Sequence, residues 1–342
     1  MKILVASDSF KGCLSSLAVA NAVEQAALSV DSNIEVVKLP VADGGEGTVE
    51  AVTSALGGEL VEAVVSDPLR RPVLAHYGQA GDLAIIEVAA ACGLTLLAPE
   101  DRNPLFTDTY GVGELIMHAI QRGCQRFLIG LGGSATNDGG KGMLSVPGFL
   151  DAVKGKSFTV ACDVDTPFIG PHGASRTFAP QKGASPADVE VLEERLVAFS
   201  QEIMAQTGMD VRQMKGTGAA GGLGGAFAAF LHAHLVPGVE MVLDTLCFDE
   251  QLKGVDLVIT GEGRSDFQTP RGKTPDGVLR RALAQGVPTV LMSGQVSHCP
   301  ELDAMGFSRM IQITPAGMSL AEAMNPVVAS ENIQKAVFSI LK

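Results

Sequence analysis

Short apolar runs alternate with longer amphipathic or alanine-rich segments along most of the chain. The run at 3–7 predicts a strand, and the alanine-rich stretch after it predicts a helix that Ser15 or Ser16 could cap. A long helix is predicted over roughly 186–206, and a shorter one over 113–123. Further strands are predicted at 35–42, 127–131, 158–165, 256–263, 288–294 and 310–314.

Residues 60–90 have a different pattern, because strand-like runs follow one another with turn residues between them, at Asp67-Pro68 and Gly81-Asp82. Elsewhere the alternation of strands and helices implies a mainly parallel sheet covered on both faces. We therefore expect an α/β protein with two α/β domains, one Rossmann-like with a mainly parallel sheet and the other a mixed α/β domain inserted in it. The expected segments are 1–60 with 245–342, and 61–244; a division into N-terminal and C-terminal halves stays open.

Composition and charge limit the function classes. The chain has 342 residues, which favours two domains, and a formal charge of −13, which argues against nucleic-acid or anionic-membrane partners. The six cysteines form no C-x-x-C motif, no leader is recognised, and no uninterrupted apolar run reaches about 18 residues. We expect a cytoplasmic protein with no membrane partner.

The 40 glycines stand largely in blocks at the ends of apolar runs, which is typical of loops that surround a ligand.

The glycine-rich run IGLGGSATNDGGKG at 129–142 follows directly on a predicted strand. Glycine lets backbone N–H groups approach an anion closely, and the neighbouring hydroxyls and Asp138 could help to hold a metal-bound phosphate. A single loop of this kind could equally be a tight structural turn. Several such loops in one chain favour the ligand-binding interpretation.

Charged side chains follow several predicted strands at the point where each strand ends. In parallel sheets ligands lie beyond the carboxyl ends of the strands, so these residues indicate a site. They are Asp8, Lys11, Asp43, Glu46, Asp163, Asp165, Glu262, Arg264 and Asp266.

Asp163 and Asp165 are the sharpest acidic pair, because residues i and i+2 of an extended segment project to the same side and could reach one metal ion. The alternative is that one of them caps the turn at Pro167.

GTGAAG at 216–221 fits a dinucleotide-binding pattern, but the polar residues before it are not a buried strand. No Walker-type P-loop is present. Glycine loops, carboxylates and loop cations together are the set that phosphoryl transfer requires.

Specific blocks of sequence carry a resemblance to a known family. They include DSFKG (8–12), ADGGEGT (42–48), DPLRRPV (67–73), GGSATNDGG (132–140), ACDVDTPFIGP (161–171), PQKGA (180–184), GTGAAGGLG (216–224) and DLVITGEGRSDFQT (256–269). In this order they resemble the two-domain bacterial glycerate kinases of the glycerate 2-kinase type, over nearly the whole chain. The resemblance implies an active site in the cleft between two α/β domains, ATP and Mg²⁺ as cosubstrates, and D-glycerate as acceptor. The implied product is mostly 2-phosphoglycerate, and the protein would be a monomer or homodimer.

The resemblance and the chemistry together suggest roles for particular residues. Lys11 and Arg70 are expected to bind anions, and Asp43 to act as base or metal partner. Asp163 and Asp165 are expected to hold Mg²⁺, with Asp163 counted among the catalytic residues. The expected cofactor-binding residues are Gly132, Gly133, Ser134, Asn137, Asp138, Lys182, Gly218, Gly221, Glu262 and Asp266.

The sequence departs from the family at 145–157, where a short bridge stands in place of several dozen residues. Such a bridge can close the gap at small entropic cost, so the fold could survive. Two alternatives therefore stay open beside the glycerate kinase prediction. One is a homologue that binds nucleotide or sugar acid with impaired catalysis, and the other is a kinase of another small hydroxy acid.

Overall fold

The computed structural model describes residues 1–342, which form two compact α/β units. Unit 1 comprises 1–43, 50–56 and 242–342, and unit 2 comprises 44–49 and 57–241. The predicted fold class is confirmed, because unit 1 has a parallel sheet and unit 2 a mixed sheet. The predicted domain boundaries at 60/61 and 244/245, and an active site between the domains, stay predictions.

Thirteen strands make up the sheets of the two units. They are β1 (Lys2–Val5), β2 (Glu35–Lys38), β3 (Glu59–Ser66), β4 (Pro72–Ala80), β5 (Leu83–Glu87), β6 (Arg126–Gly130), β7 (Ser157–Ala161), β8 (His234–Val236), β9 (Leu257–Thr260), β10 (Arg264–Ser265), β11 (Thr289–Ser293), β12 (Gln295–Val296) and β13 (Arg309–Gln312).

Fifteen α-helices connect and cover these strands. They are α1 (Ser16–Val30), α2 (Thr48–Ala55), α3 (Ala89–Cys92), α4 (Tyr110–Gln121), α5 (Lys141–Leu144), α6 (Phe149–Ala152), α7 (Ala174–Phe178), α8 (Pro186–Thr207), α9 (Leu223–Leu231), α10 (Gly238–Thr245), α11 (Phe248–Gln251), α12 (Thr274–Ala284), α13 (Pro300–Asp303), α14 (Leu320–Ala323) and α15 (Pro326–Leu341).

The main sheet of unit 1 has the order β13-β11-β9-β1-β2, and all its neighbouring strands are parallel. Helix α1 begins at Ser15, whose side chain accepts a hydrogen bond from the Ala18 N–H, as an N-cap residue does. Its buried positions include Val19, Val23 and Ala26, a spacing that gives one apolar face toward the sheet. The carboxyl ends of these strands therefore share one edge, where connecting loops can form a site.

The sheet of unit 2 has the order β3-β4-β5-β6-β7-β8. Strands β3, β4 and β5 pair antiparallel, as the turn residues between 60 and 90 predict, and β5 to β8 pair parallel. Stacked rings of Phe127 and Phe158, 4.7 Å between centroids, lie in its core. The long helix α8 occupies the predicted range, with a capping box between Ser185 and Asp188.

Most of the predicted strands extend beyond the observed ones, and β2 and β7 are clear cases. Strand β2 ends at Lys38 rather than at 42, and Pro40 beyond it has no N–H to donate. Strand β7 ends at Ala161 rather than at 165, because its neighbour β8 ends at Val236 and the ladder finishes with the Cys162 N–H bonded to the Val236 carbonyl. Asp163 and Asp165 therefore lie in a loop.

The short bridge at 145–157 is packed into the core of unit 2. Val146, Phe149 and Val153 are buried there, and Phe149 lies in helix α6 with no exposed surface. These three buried side chains anchor the bridge to the core of unit 2. None of the helices combines the length and hydropathy that a membrane crossing needs.

Candidate active site

A cavity of about 740 Å³ opens in unit 1 beyond the carboxyl ends of its parallel strands. Loops after β1, β9, β11 and β13 supply most of its lining. Among the sequence-predicted site residues it brings together Lys11, Asp43, Glu262 and Asp266. The expectation that charged residues gather at one edge of the sheet therefore holds for this unit.

Hydrogen bonds and close backbone packing join the neighbouring strand ends at this edge of the unit 1 sheet. The Ser7 hydroxyl donates to the Gly261 carbonyl over 3.0 Å, and the Asp8 N–H donates to the same carbonyl over 2.9 Å. A Cβ at Gly261 would lie 1.8 Å from the Met292 carbonyl oxygen, so only glycine lets this turn approach β11 so closely. These contacts fix where the side chains after β1 and β9 enter the cavity.

Two of the cavity's carboxylates have protein partners. Asp43 Oδ2 lies 3.1 Å from the Lys273 ammonium. Glu262 Oε1 accepts hydrogen bonds from the Thr269 hydroxyl at 2.7 Å and the Ser265 hydroxyl at 3.0 Å. Burial nevertheless raises the pKa of Glu262. Both side chains are thus held in position at the cavity wall.

Asp8 differs from these two carboxylates. Its Oδ1 atom accepts from the Ser9 N–H at 2.7 Å and lies 3.4 Å from the Ser9 hydroxyl, whereas its Oδ2 atom has no hydrogen-bond donor. Asp8 is only 5% exposed, and burial together with the charge of Asp43 raises its pKa to about 7. An oxygen without a donor in such surroundings is suited to accept a proton near neutral pH.

The cations of the cavity are Lys11 and Lys273, with Arg264 at its edge beside Asp266. Burial alone would lower the pKa of Lys273, but the charges of Asp43, Glu262 and Asp8 outweigh it and raise the pKa. Lys273 is therefore a permanent positive charge among acids. Lys11 is exposed and lines the same cavity, which leaves its ammonium accessible to an anionic ligand.

No group of three or more His, Cys, Asp or Glu side chains is arranged to hold a metal ion by itself. Mg²⁺ is usually bound by one or two carboxylates together with phosphate oxygens and water, so this finding does not conflict with a magnesium–nucleotide complex. Asp8, Asp43 and Glu262 are crowded together, and the charge of Asp43 adds to burial in raising the pKa values of Asp8 and Glu262, so the group suits an additional cation.

The glycine-rich loop at 132–140 follows β6 in unit 2 and is held from inside by a buried lysine. Lys182 is 3% exposed, and its ammonium donates to the Ser134 hydroxyl at 2.9 Å and the Thr136 carbonyl at 2.7 Å. Burial lowers the pKa of Lys182 to about 8. Lys182 and Ser134, both predicted to bind cofactor, are thus bonded to each other, and their contact with a ligand stays a prediction.

Asp138 stabilises the glycine-rich loop by accepting hydrogen bonds from several neighbouring groups. Its carboxylate accepts hydrogen bonds from the N–H and hydroxyl of Thr109 and from the N–H groups of Gly140 and Gly142, at 2.8–3.1 Å. Burial raises its pKa despite these donors. The amide of Asn137 donates to the Ser175 hydroxyl at 3.0 Å.

The predicted phosphate-binding glycines fall into two groups. Gly132 and Gly133 are exposed and could approach an anion. Gly218 and Gly221 are buried, and a Cβ on either would lie 2.1 Å from a carbonyl oxygen, that of Pro167 and that of Thr136 respectively. Close packing of backbone on backbone is thus sufficient to explain these two glycines.

The predicted metal ligands of unit 2 each have a protein partner. Asp163 Oδ1 accepts a hydrogen bond from the Gly238 N–H, the first residue of α10, at 2.8 Å. Asp165 is 79% exposed in its side chain and pairs with the equally exposed Lys215 at 2.7 Å. Metal binding by this pair stays a prediction.

Arg70 belongs to unit 2 and pairs with Asp108 at 2.7 Å, its guanidinium lying 4.2 Å from the centre of the Tyr110 ring. It has a positive φ of 61°, which is uncommon for a residue other than glycine. Its predicted anion-binding role is untested by these contacts.

Sequence reasoning assigned no individual role to Asp8 or Lys273, two charged residues of the cavity. Asp8 follows the first strand by three positions, and the rule that ligands lie beyond strand ends already pointed to it. Lys273 stands next to Gly272 at the end of the loop between β10 and α12. Nothing local in the sequence indicates its pairing with Asp43, 230 residues away.

Comparison with known proteins gives a consistent result. The profile of the glycerate kinase family matches residues 3–152 and 145–342. A Bacillus subtilis (strain 168) protein named "Glycerate kinase" is 41% identical over 356 residues, covering 94% of this chain and 93% of that protein. An Escherichia coli (strain K12) protein named "Glycerate 2-kinase" is 41% identical over 327 residues, covering 87% and 86%. A crystal structure described as glycerate kinase 2 from Salmonella typhimurium LT2 matches with a TM-score of 0.89 at 38% identity, covering 99% of this chain and 97% of that one.

The matches also bear on the short bridge. The two profile matches overlap at 145–152, within the segment where the sequence departs from the family. The alignment with the Bacillus protein is longer, at 356 residues, than this chain of 342. That relative therefore contains residues with no counterpart here.

Proposed function

Because this chain belongs to the glycerate kinase family, we propose that it transfers the γ-phosphoryl group of ATP to D-glycerate. We further propose that the C2 hydroxyl is the acceptor, that 2-phosphoglycerate and ADP are the products, and that Mg²⁺ is required. Membership of the family supports glycerate as the acceptor, and the relative named "Glycerate 2-kinase" supports the C2 hydroxyl as the position of transfer. The observation that carries the proposal is the cavity of unit 1, with its carboxylates and lysines at the strand ends.

The charges in this cavity suit both reactants. Glycerate is a small carboxylate with two hydroxyl groups, and Lys11 is an accessible cation that can pair with its carboxylate. Lys273 is held in position by Asp43. Its positive charge offsets the repulsion that Asp8, Asp43 and Glu262 would otherwise exert on the phosphate groups. Positioning and charge neutralisation are the main contributions a protein makes to phosphoryl transfer.

Asp43 and Glu262 are the best candidates to hold Mg²⁺, directly or through water. Both line the cavity and are fixed in position by protein partners. When bound, the ion neutralises phosphate charge and orients the donor. Asp163 and Asp165 remain the sequence-based alternative.

Asp8 is the proposed proton acceptor, in place of Asp43, which the sequence favoured. The unbonded Oδ2 atom of Asp8 can take the proton of the C2 hydroxyl while the hydroxyl oxygen forms its bond to the γ-phosphorus. The bond between that phosphorus and the bridging oxygen of ADP breaks, and ADP leaves with the electron pair. Asp43 is less suited to accept a proton because its carboxylate is paired with Lys273.

The test is an assay with ATP, Mg²⁺ and D-glycerate, with the product resolved by phosphorus NMR. A 2-phosphoglycerate resonance that depends on ATP, and disappears with EDTA, is the expected result. A 3-phosphoglycerate resonance would contradict the proposed acceptor position. Comparing kcat/KM on glycerate, tartronate and lactate tests the alternative acceptor, and ATP binding by a folded protein without turnover on any of them would favour the impaired homologue.

A further inference from the structure

The cavity of unit 1 has an uncharged side as well as the charged one. This apolar wall is formed by the segment after β13, through Pro315, Met318, Leu320 and Met324. Leu320 is 74% exposed, so a large apolar side chain at the cavity is left facing solvent. Apolar surface at the edge of a concave polar site is typical of a ligand-binding surface.

The apolar wall is fixed in place by contacts on both sides. The Ile313 N–H donates to the Ser293 carbonyl at 2.9 Å, and the Thr314 N–H donates to the Gly294 carbonyl at 3.2 Å, which ties the start of the segment to β11. At its other end, a Cβ on Gly12 would lie 3.1 Å from the terminal methyl of Met324. The wall is therefore built against the loop that also contains Lys11.

The cavity has room for a ligand larger than glycerate. A volume of about 740 Å³ lies within the range of pockets that enclose drug-sized ligands, which is roughly 300–1,000 Å³. Glycerate has a carboxylate or a hydroxyl group on every carbon, so it gains little from contact with Leu and Met side chains. The ligand of this wall needs an apolar or aromatic face joined to a group that suits the charged side.

We propose that the apolar wall binds the nucleoside of the phosphoryl donor, with its base against Leu320 and Met324 and its phosphates toward Lys273. This inference rests on the proposed function for the identity of the donor. Aromatic rings pack well on thioether and branched aliphatic side chains, as Met318, Met324 and Leu320 provide. One cavity then contains both the apolar surface for the base and the charged groups for the phosphates.

The test compares two matched substitutions. Leu320 is the first residue of α14, Val327 is the second residue of α15, and both side chains are largely exposed, at 74% and 67%. Only Leu320 lines the cavity. For Leu320→Asn we expect the KM for ATP to rise roughly tenfold because apolar contact is lost, while the KM for D-glycerate stays nearly unchanged. Val327→Asn should change neither KM value. Leu320→Met keeps an apolar side chain and should have a KM for ATP near that of the wild type.

Equal effects of the two Asn variants, or a rise in the KM for glycerate alone, would overturn the inference. Calorimetric titration with Mg²⁺-ADP separates it from the proposed function. If the wild type transfers no phosphate to glycerate but binds ADP, and Leu320→Asn weakens that binding, the nucleoside site stands without the glycerate kinase activity. If ADP binds both proteins equally or binds neither, the nucleoside site is wrong.

Discussion

The substitution Asp8→Asn should make the protein more stable at alkaline pH while it removes activity. Burial and the charge of Asp43 raise the pKa of Asp8 to about 7 in the folded state, whereas an unfolded aspartate titrates near pH 3.9. Between these values the folded protein holds a proton that the unfolded chain has lost. The stability that this carboxyl contributes is therefore fully present below about pH 4 and is lost as the pH rises through about 7.

The size of this effect follows from the two pKa values. Each pH unit between them corresponds to about 1.4 kcal/mol, so about three units give an upper limit of roughly 4 kcal/mol in the free energy of unfolding. Asparagine cannot ionise, yet its carbonyl can still accept the hydrogen bond from the Ser9 N–H. We expect the advantage of Asp8→Asn over the wild type to be near zero at pH 4 and about 2–4 kcal/mol at pH 8.

The chain offers a convenient internal control for this measurement. It contains no tryptophan, and its two tyrosines, Tyr77 and Tyr110, both belong to unit 2. Urea unfolding followed by far-ultraviolet circular dichroism reports both units, whereas tyrosine emission reports unit 2. The variant should shift the first signal at pH 8 more than the second, and Asp165→Asn, at an exposed site, should shift neither. An identical difference between wild type and Asp8→Asn at pH 5 and pH 8 would refute the reasoning.

The same variant tests the proton-acceptor role. Losing a general base typically lowers kcat by about 10²–10⁴-fold, and wild-type kcat/KM should fall as the pH drops below about 7. Asp8→Asn should lose this acidic limb of the pH profile. Turnover within a few-fold of the wild type, with the limb intact, would assign the proton to another group.

Three further substitutions test the remaining assignments. Lys182→Met leaves the Thr136 carbonyl without its buried donor and should lower the unfolding free energy by about 1–3 kcal/mol, measured by tyrosine emission. Phe149→Ala should cost about 3–5 kcal/mol in the same assay, against well under 1 for Leu150→Ala, because only Phe149 is fully buried; equal costs would mean that the bridge is not part of the core. Asp43→Asn should raise the Mg²⁺ concentration for half-maximal activity roughly tenfold while Asp165→Asn leaves it unchanged, and the reverse order would favour the metal site predicted in unit 2.

The sequence was sufficient to predict much of unit 1 and part of its site. Buried apolar runs defined the parallel strands, and the rule that ligands lie beyond strand ends brought Lys11, Asp43 and Glu262 into one site. It was insufficient to choose the base among the acids. That choice depends on which carboxylate the Lys273 ammonium contacts, and the contact joins residues 230 positions apart.

The glycine motifs show a second limit of prediction from sequence. A glycine can be required by a bound ligand or by a neighbouring segment of backbone, and the sequence looks the same in both cases. Gly132 stands on an exposed loop, where the absence of a side chain could admit an anion. Gly218 and Gly221 are needed because a Cβ would meet the carbonyl oxygens of Pro167 and Thr136, in segments distant along the chain. The steric demand of a neighbouring backbone becomes visible only when the fold is known. A glycine-rich block therefore indicates close approach to its backbone, and the structure decides whether the approaching group is a ligand or the chain itself.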